Sequence, residues 1–373
     1  MTQVDSQLYD QPFDSIVIGG GLLGCSVAQN LALAGQRVAI IEQKDLASGA
    51  SGVNEGNLSI QTKPERLLDY AIKGSELWAE MGEHVGYLRR PSLIVAKTPE
   101  DAAVLEQCTH VRRQIGAGIE LYDQQTLTSI HPYINPKTVL ASYCAQDAVV
   151  NAALIGHYYR KLFAEMSISL FERHWVVAID YDAEQGHRVQ CTQGVLHAKN
   201  LIIAAGAWSD KAAKLLGLKL PLKIQSNIIA QTLATSEALS VQLYDVRESF
   251  SVQKQRDDKV VIASGWRGQD LESPDTQAAV STAHLVDTVS RAAYYWPALA
   301  QLTLLSTWHN NEVNPVDDMP LIGNFSAMPH TSFLLAGRGG FMMGPYLGKL
   351  LAEQITGIER SQELAQFSVE RFS

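Results

Sequence analysis

The sequence predicts an α/β fold in which a helix-covered parallel sheet is interrupted twice by a second, antiparallel sheet. Three observations carry that prediction. The apolar run Ile16–Ile18 ends in a cluster of glycines, after which comes a helical pattern and then a second apolar run. Two later apolar runs, at 201–205 and 333–336, also stop at glycine, as buried parallel strands do where they deliver their C-terminal ends to a ligand. Between these segments lie stretches of alternating texture such as Ser249–Lys254 and Val260–Ala263, joined by the polar turn at Asp257 and Asp258. A chain of 373 residues is too long for one ordinary core, so two domains are expected.

In chain order, Ile16–Ile18 read as a short buried strand. Gly19, Gly21 and Gly24 then allow a sharp turn, close approach of backbone to a pyrophosphate, and tight packing of helix on strand. Leu22–Ala34 keep apolar residues at helical spacing and stop at Gly35, so the amides at the helix start point toward a phosphate. Val38–Ile41 form the second strand. Glu42, followed by Gln43, falls eighteen residues after Gly24, near the spacing at which an acidic side chain accepts hydrogen bonds from a ribose. Strand, glycines, helix, strand and acid in this order predict a dinucleotide site. The segment from Gln146 to Asn151 leads into a helix over 152–165, the run from Leu201 ends at Gly206 and Trp208, and Phe333–Ala336 lead through Gly337, Gly339 and Gly340 into a final helix over 344–355. These three segments give one nucleotide-binding domain (1–82, 141–215 and 315–373). The inserts at 83–140 and 216–314 give a substrate domain, with a cleft between the two.

Composition narrows the function. With 46% hydrophobic and 18% charged residues the chain reads as a folded soluble protein, and no apolar run approaches bilayer length. The polar start, 1–12, lacks the pattern of a secretory signal, so a cytoplasmic location is expected. A net charge of −9 disfavours nucleic acid as a partner. Cys25, Cys108, Cys144 and Cys191 form no C-x-x-C pair and the ten histidines show no ligand spacing, so no metal or iron–sulfur cluster is expected on this chain. Cys25 reads as a small packing residue.

With these motifs in order, the chain resembles the FAD-dependent amine and amino-acid oxidoreductases related to D-amino-acid oxidase, sarcosine oxidase and glycine oxidase. The resemblance covers almost the whole chain. Its opening motif falls on Gly19, Gly21, Gly24 and Glu42, and its Ser/Gly/Asn loop on Ser48, Ser51, Gly52, Asn54, Gly56, Asn57 and Leu58. Later motifs fall on 145–151, on 203–208 with Gly206, on 317–323 and on 337–342 with Gly339, Gly340, Phe341 and Met342. The resemblance implies a Rossmann-like FAD domain, with Val150 and Val176 toward the adenine and the Gly339–Gly340 amides toward the flavin's pyrimidine edge. From the residues alone, both valines read equally well as core. The subgroup it resembles most is the flavoprotein subunits of hydrogen cyanide synthase, opine oxidase and D-hydroxyproline dehydrogenase. That implies a heteromeric complex whose partner subunit accepts electrons and brings further redox centres, FMN or an iron–sulfur centre.

The sequence also departs from the family. Glycine-oxidase-like members carry an Arg-Pro pair that clamps the substrate carboxylate, whereas Glu312 stands near that place in the segment from Trp308 to Asp317. Arg247, Arg267 and Arg338 are the alternatives; Arg338, beside the flavin-edge glycines, is equally readable as structural. The oxygen-promoting lysine of sarcosine oxidases is missing from Val260–Trp266, which favours a dehydrogenase, and no Cys or His stands at the covalent attachment positions, which favours noncovalent FAD. The implied chemistry is hydride transfer from the carbon of a C–N bond to the flavin, with Tyr244, Trp266, Trp308 and His309 as candidate pocket walls, each also readable as core. Three readings stay open: a heteromeric dehydrogenase, a self-sufficient oxidase making peroxide, and an FAD-stabilised assembly subunit.

Overall fold

The computed structural model describes residues 11–247, 250–263, 270–276 and 281–372. The central strand β1 (Phe13–Ile18) lies parallel to β2 (Val38–Glu42) on one side and to the long strand Gly194–Ile203 on the other. Successive side chains of a strand point to opposite faces. Accordingly Val17 and Ile40 enter one apolar cluster, while Ile16, Ile18, Ala39 and Ile41 enter the other. Burial on both faces is why these strands read as unbroken apolar runs rather than as alternation.

Ser169–Glu172 extend this sheet beyond β2. The far edge of Gly194–Ile203 is divided. Its first half pairs antiparallel with Gly186–Cys191, and its last residues pair parallel with Thr331–Leu335. The parallel core therefore carries an antiparallel flank, formed by Val176–Asp182 against Gly186–Cys191.

Helix α1 (Leu22–Leu33) packs against the last long helix, Gly340–Ile355, which begins four residues before the 344 expected from the pattern. Gly339, with φ of +85°, adopts the left-handed conformation that turns the chain into that helix. Contact between the two helices is close. Ser26 Oγ donates to the Pro345 carbonyl at 2.8 Å, and a Cβ placed on Gly348 would lie 2.5 Å from the same hydroxyl oxygen.

The second sheet is built from the two inserts. Leu222–Thr232 pair antiparallel with Leu304–Pro315 along almost their whole length, then with Val260–Ala263 and Asp270–Leu271 on the other side. Ser251–Lys254 and Gln242–Asp245 continue the sheet toward Ser92–Ala96, Leu140–Cys144 and Ile119–Asp123. Two features differ from the sequence reading. Gln242–Asp245 and Ser92–Ala96 are parallel, because this pair joins one insert to the other rather than closing a hairpin. Leu140–Cys144 pair with Ser92–Ala96 and Ile119–Asp123, so the second sheet runs past the boundary drawn at 140/141. In the first sheet Leu321–Asn324 pair antiparallel with Thr331–Leu335, and Asn57–Leu58, Leu88–Arg89 and Ala148–Val149 form a small three-stranded sheet of their own.

Candidate functional site

A cleft of about 410 Å³ runs over the C-terminal ends of β1 and β2. At one end it is lined by Glu42, Gln43, Lys44, His174, Trp175 and Val176; in the middle by Gly19, Gly21 and Ser48–Ser51; at the other end by Asn54, Glu312, Gly337, Gly339, Gly340 and Phe341. The open ends of parallel strands are where α/β sheets bind ligands.

The glycine turn is set by hard contacts. Gly19, at φ +108°, faces the Ala204 carbonyl so closely that a Cβ would lie 2.4 Å from its oxygen, and a Cβ on Gly24 would lie 2.0 Å from the Gly19 oxygen. Side chains are excluded here by space as well as by conformation. Gly20 N donates to Glu42 Oε2 at 2.7 Å and Lys44 N to Glu42 Oε1 at 2.8 Å, which fixes the carboxylate at the edge of the cleft. Burial pushes the Glu42 carboxyl above its ordinary pKa, and the two amide hydrogen bonds oppose that shift. Ser51 Oγ accepts from Leu22 N at 2.9 Å and so serves the start of α1, where Gly21 offers no side chain to cap it.

Below the cleft the loop closes on itself. A Cβ on Gly52 would lie 2.2 Å from the Ala47 oxygen, and one on Gly56 would lie 2.1 Å from the Val150 oxygen. Leu58 is fully buried, and both amide atoms of Asn57 are buried without a hydrogen-bond partner. Met342 is buried, while Phe341 stacks on Trp78 with ring centroids 5.0 Å apart. Gly206, at φ +53°, also lines the cleft. Val176 lines the cleft, but Val150 does not: it is buried, and its N–H donates to the Gly56 carbonyl at 2.9 Å.

Among the described residues, none of those read as substrate-facing lines the cleft. Trp308 donates from Nε1 to the Val53 carbonyl at 2.9 Å, toward the loop that follows Ser51. His309 follows it in the same strand, so the pleat sends the two side chains to opposite faces. Tyr244 is buried, its hydroxyl donating to Gln242 Oε1 at 2.9 Å, and burial pushes the phenol well above its ordinary pKa. Arg247 is exposed and ion-paired to Asp101 at 3.1 Å. Arg338 is exposed, with its backbone N–H donating to Asn314 Oδ1 at 2.7 Å. Trp266 and Arg267 lie outside the described residues.

Three charged residues absent from the sequence reading of the site meet where the cleft approaches the second sheet. Asp147 is fully buried and accepts from Ser59 Oγ at 2.7 Å, Ile60 N at 2.7 Å and Ser92 Oγ at 2.5 Å. Glu55 accepts from the Ser251 hydroxyl, and burial raises its pKa. Lys63 lies against Gly339, and burial brings its ammonium down to about 8. Asp147 and Glu55 lay within motifs already noted, whereas Lys63, between Thr62 and Pro64, carried no signal beyond that of an ordinary surface loop. Among the described residues no cluster of three metal-ligating side chains occurs, and no helix is long and apolar enough to cross a membrane.

Residues 14–354 match the family described as FAD dependent oxidoreductase. The chain belongs to that family. It is 26% identical to the B subunit of opine oxidase from Rhizobium meliloti, over 96% of this chain and 97% of that one. It is 25% identical to glycine oxidase of Geobacillus kaustophilus (strain HTA426), with 96% and 97% covered. In fold it is similar to the crystal structure of glycine oxidase from Geobacillus kaustophilus, with a TM-score of 0.87 at 22% identity, covering 96% of this chain and 98% of that chain. It is also similar in fold to L-proline dehydrogenase from P. horikoshii, with a TM-score of 0.89 at 18% identity, covering 97% and 98%. The cleft fits FAD on its own geometry. Gly19 and Gly24 leave no room for a Cβ, the Glu42 carboxylate is held at the end of β2, and the orphaned amide of Asn57 lies in the loop that follows.

Proposed function

We propose that this FAD-dependent oxidoreductase is the flavin-bearing subunit of a heteromeric dehydrogenase that oxidises the C–N bond of an amino acid or secondary amine of the opine class. One observation carries the reading: similarity to the opine oxidase B subunit runs end to end, while Glu312 lines the cleft near the place where glycine-oxidase-like chains carry an arginine clamp. FAD is held noncovalently. Gly19, Gly21 and the amides at the start of α1 face its pyrophosphate, and Glu42, beside Gln43, accepts from the ribose. Val176 would cover the adenine, Ser48 and Ser51 would flank the phosphates, and the loop through Gly52, Gly56, Asn57 and Leu58 would hold the flavin. Gly206 bounds the cleft, and Gly339, Gly340, Phe341 and Met342 would close its flavin end.

Bound FAD supplies a two-electron acceptor for the hydride on the carbon beside nitrogen. The chain's own residues do the rest by binding, orienting and excluding water. On the side of the second sheet Tyr244 is buried and Ser251 donates to the Glu55 carboxylate. Trp308 positions the cofactor loop through Val53 rather than by touching substrate.

A partner subunit with its own redox centre, FMN or an iron–sulfur centre, would accept the electrons. The experiment is a stopped-flow comparison. The purified flavoprotein, bleached anaerobically by an amino-acid or opine substrate, is mixed with oxygen or with an artificial dye. Slow recovery in oxygen and fast recovery with dye are expected. Fast recovery with stoichiometric peroxide, at the rate of substrate turnover, overturns the partner reading in favour of a self-sufficient oxidase. A flavin that no amine bleaches overturns both.

A further inference from the structure

Lys63 is placed by a loop built to hold it. Asp147 fixes the preceding residues through the Ser59 hydroxyl and the Ile60 amide, and Gln61 Oε1 accepts from Ser142 Oγ at 2.7 Å, which pins the loop to the second sheet. Lys63 N then donates to the Ile60 carbonyl at 3.0 Å, and Arg112 Nη2 approaches the Lys63 carbonyl at 3.5 Å. On the other side the aliphatic stem lies on the Gly339 turn: a Cβ placed on Gly339 would be 3.3 Å from Lys63 Cδ and 3.4 Å from Cε. Gly339 itself lines the cofactor cleft. Lys63 therefore stands at the seam between the flavin end of the cleft and the second sheet.

Its ammonium is under-partnered. An ammonium has three donors. Among the described residues its side chain makes one hydrogen bond, to Thr62 Oγ1 at 3.0 Å, and no carboxylate lies within ion-pair distance of it. A cation removed from water and left with two donors open is costly unless an acceptor arrives. The loop's hydrogen bonds hold the lysine's backbone in this position.

We propose that Lys63 is a substrate-binding residue whose ammonium receives a carboxylate of the molecule oxidised beside the Gly339 turn. This rests on the amino-acid reading given above. Lys63 takes over the anchoring task for which an arginine clamp is missing near Glu312, and it does so from a different element of the fold. The groups that act on its charge are Asp147 and Glu55, which favour the ammonium, and Arg338, which disfavours it. Desolvation outweighs them and sets the free ammonium to lose its proton near pH 8, within reach of a titration.

The experiment uses the flavin-loaded protein, wild type, Lys63→Met and Lys63→Arg. Acetate and N-acetylglycine, which carry a carboxylate but no basic amine, are titrated in while the flavin absorbance is followed from about pH 7 to about pH 9.5. Wild-type affinity is expected to fall as pH rises through about 8, approaching tenfold per unit above it, because the neutral amine no longer pairs with the anion. Lys63→Met should bind either anion at least tenfold more weakly at pH 7 and show no such slope. Lys63→Arg should keep its affinity at pH 9.5. Equal anion affinity in wild type and Lys63→Met overturns the proposal, as does a Met variant with altered flavin absorbance but unaltered anion binding, which would assign the lysine to the flavin. Should the Met variant fail to retain flavin, the wild-type slope against a flat Lys63→Arg profile decides the matter, and two identical profiles sink the idea. Amino acids that fail to bleach the wild-type flavin would overturn the functional reading separately, since anion titration needs no turnover.

Discussion

The cofactor cleft and the seam beside the second sheet are built from different kinds of group. At its glycine turn the cleft is made largely of backbone. Gly19 and Gly24 clear space, β1 and β2 set direction, and the Glu42 carboxylate is tied down by two amides. The seam is made of side chains from distant parts of the chain: Asp147, Ser59, Ser92, Gln61 and Ser142 hold one another, and Glu55 and Lys63 stand at their margin. Backbone recognition tolerates few substitutions but is indifferent to chemistry beyond the cofactor. Side-chain recognition is where one oxidoreductase of this family can differ from the next.

The contrast is broken first at its stiffest point. Gly24→Val should push α1 away from β1, because even a Cβ would lie 2.0 Å from the Gly19 oxygen. The expected cost is about 4 kcal/mol with loss of bound flavin, checked by urea unfolding and by the ratio of flavin to protein absorbance. A variant that holds FAD normally would show that the turn has slack. Asp147→Ala strikes the seam instead. It leaves the Ser59 and Ser92 hydroxyls and the Ile60 amide without their acceptor, for about 3 kcal/mol of stability. The molecules that remain folded should still carry flavin, and parallel loss of both would show the two regions to be one unit. The mildest change is Glu42→Ala. It should weaken FAD binding by about 1.5–3 kcal/mol for each ribose hydrogen bond lost, with little effect on the fold, measured by flavin release on dilution. Unchanged retention would mean that Glu42 serves only the Gly20 and Lys44 amides.

The same contrast explains what was legible in the sequence. Gly19, Gly24 and Glu42 are readable because the tight turn leaves no room for a Cβ at the two glycines and because spacing along one strand–helix–strand unit fixes where the acid falls. The apolar runs of β1, β2 and 201–203 are readable because burial on both faces removes polar residues altogether. Lys63 and Asp147 are 84 residues apart in the chain, 147 less 63, and no local period links them. Trp308 and His309 are adjacent, yet the pleat separates what sequence proximity had grouped. The parallel pairing of Gln242–Asp245 with Ser92–Ala96 was equally hidden, since strand direction depends on how the chain returns and not on the strand's composition.

That parallel pair has a consequence for how the molecule is made. The first sheet is incomplete until Thr331–Leu335 reach Gly194–Ile203, and the second until Gln242–Asp245 reach Ser92–Ala96. Neither can be finished by an N-terminal fragment emerging from a ribosome, and the closures span loops long enough to make folding slow. Early segments must wait with apolar strand edges uncovered, a state prone to aggregation. The glycine turn, though first in the chain, can acquire its full set of walls only after Gly337–Gly340 arrive, so in the life of each molecule the cofactor is a late passenger.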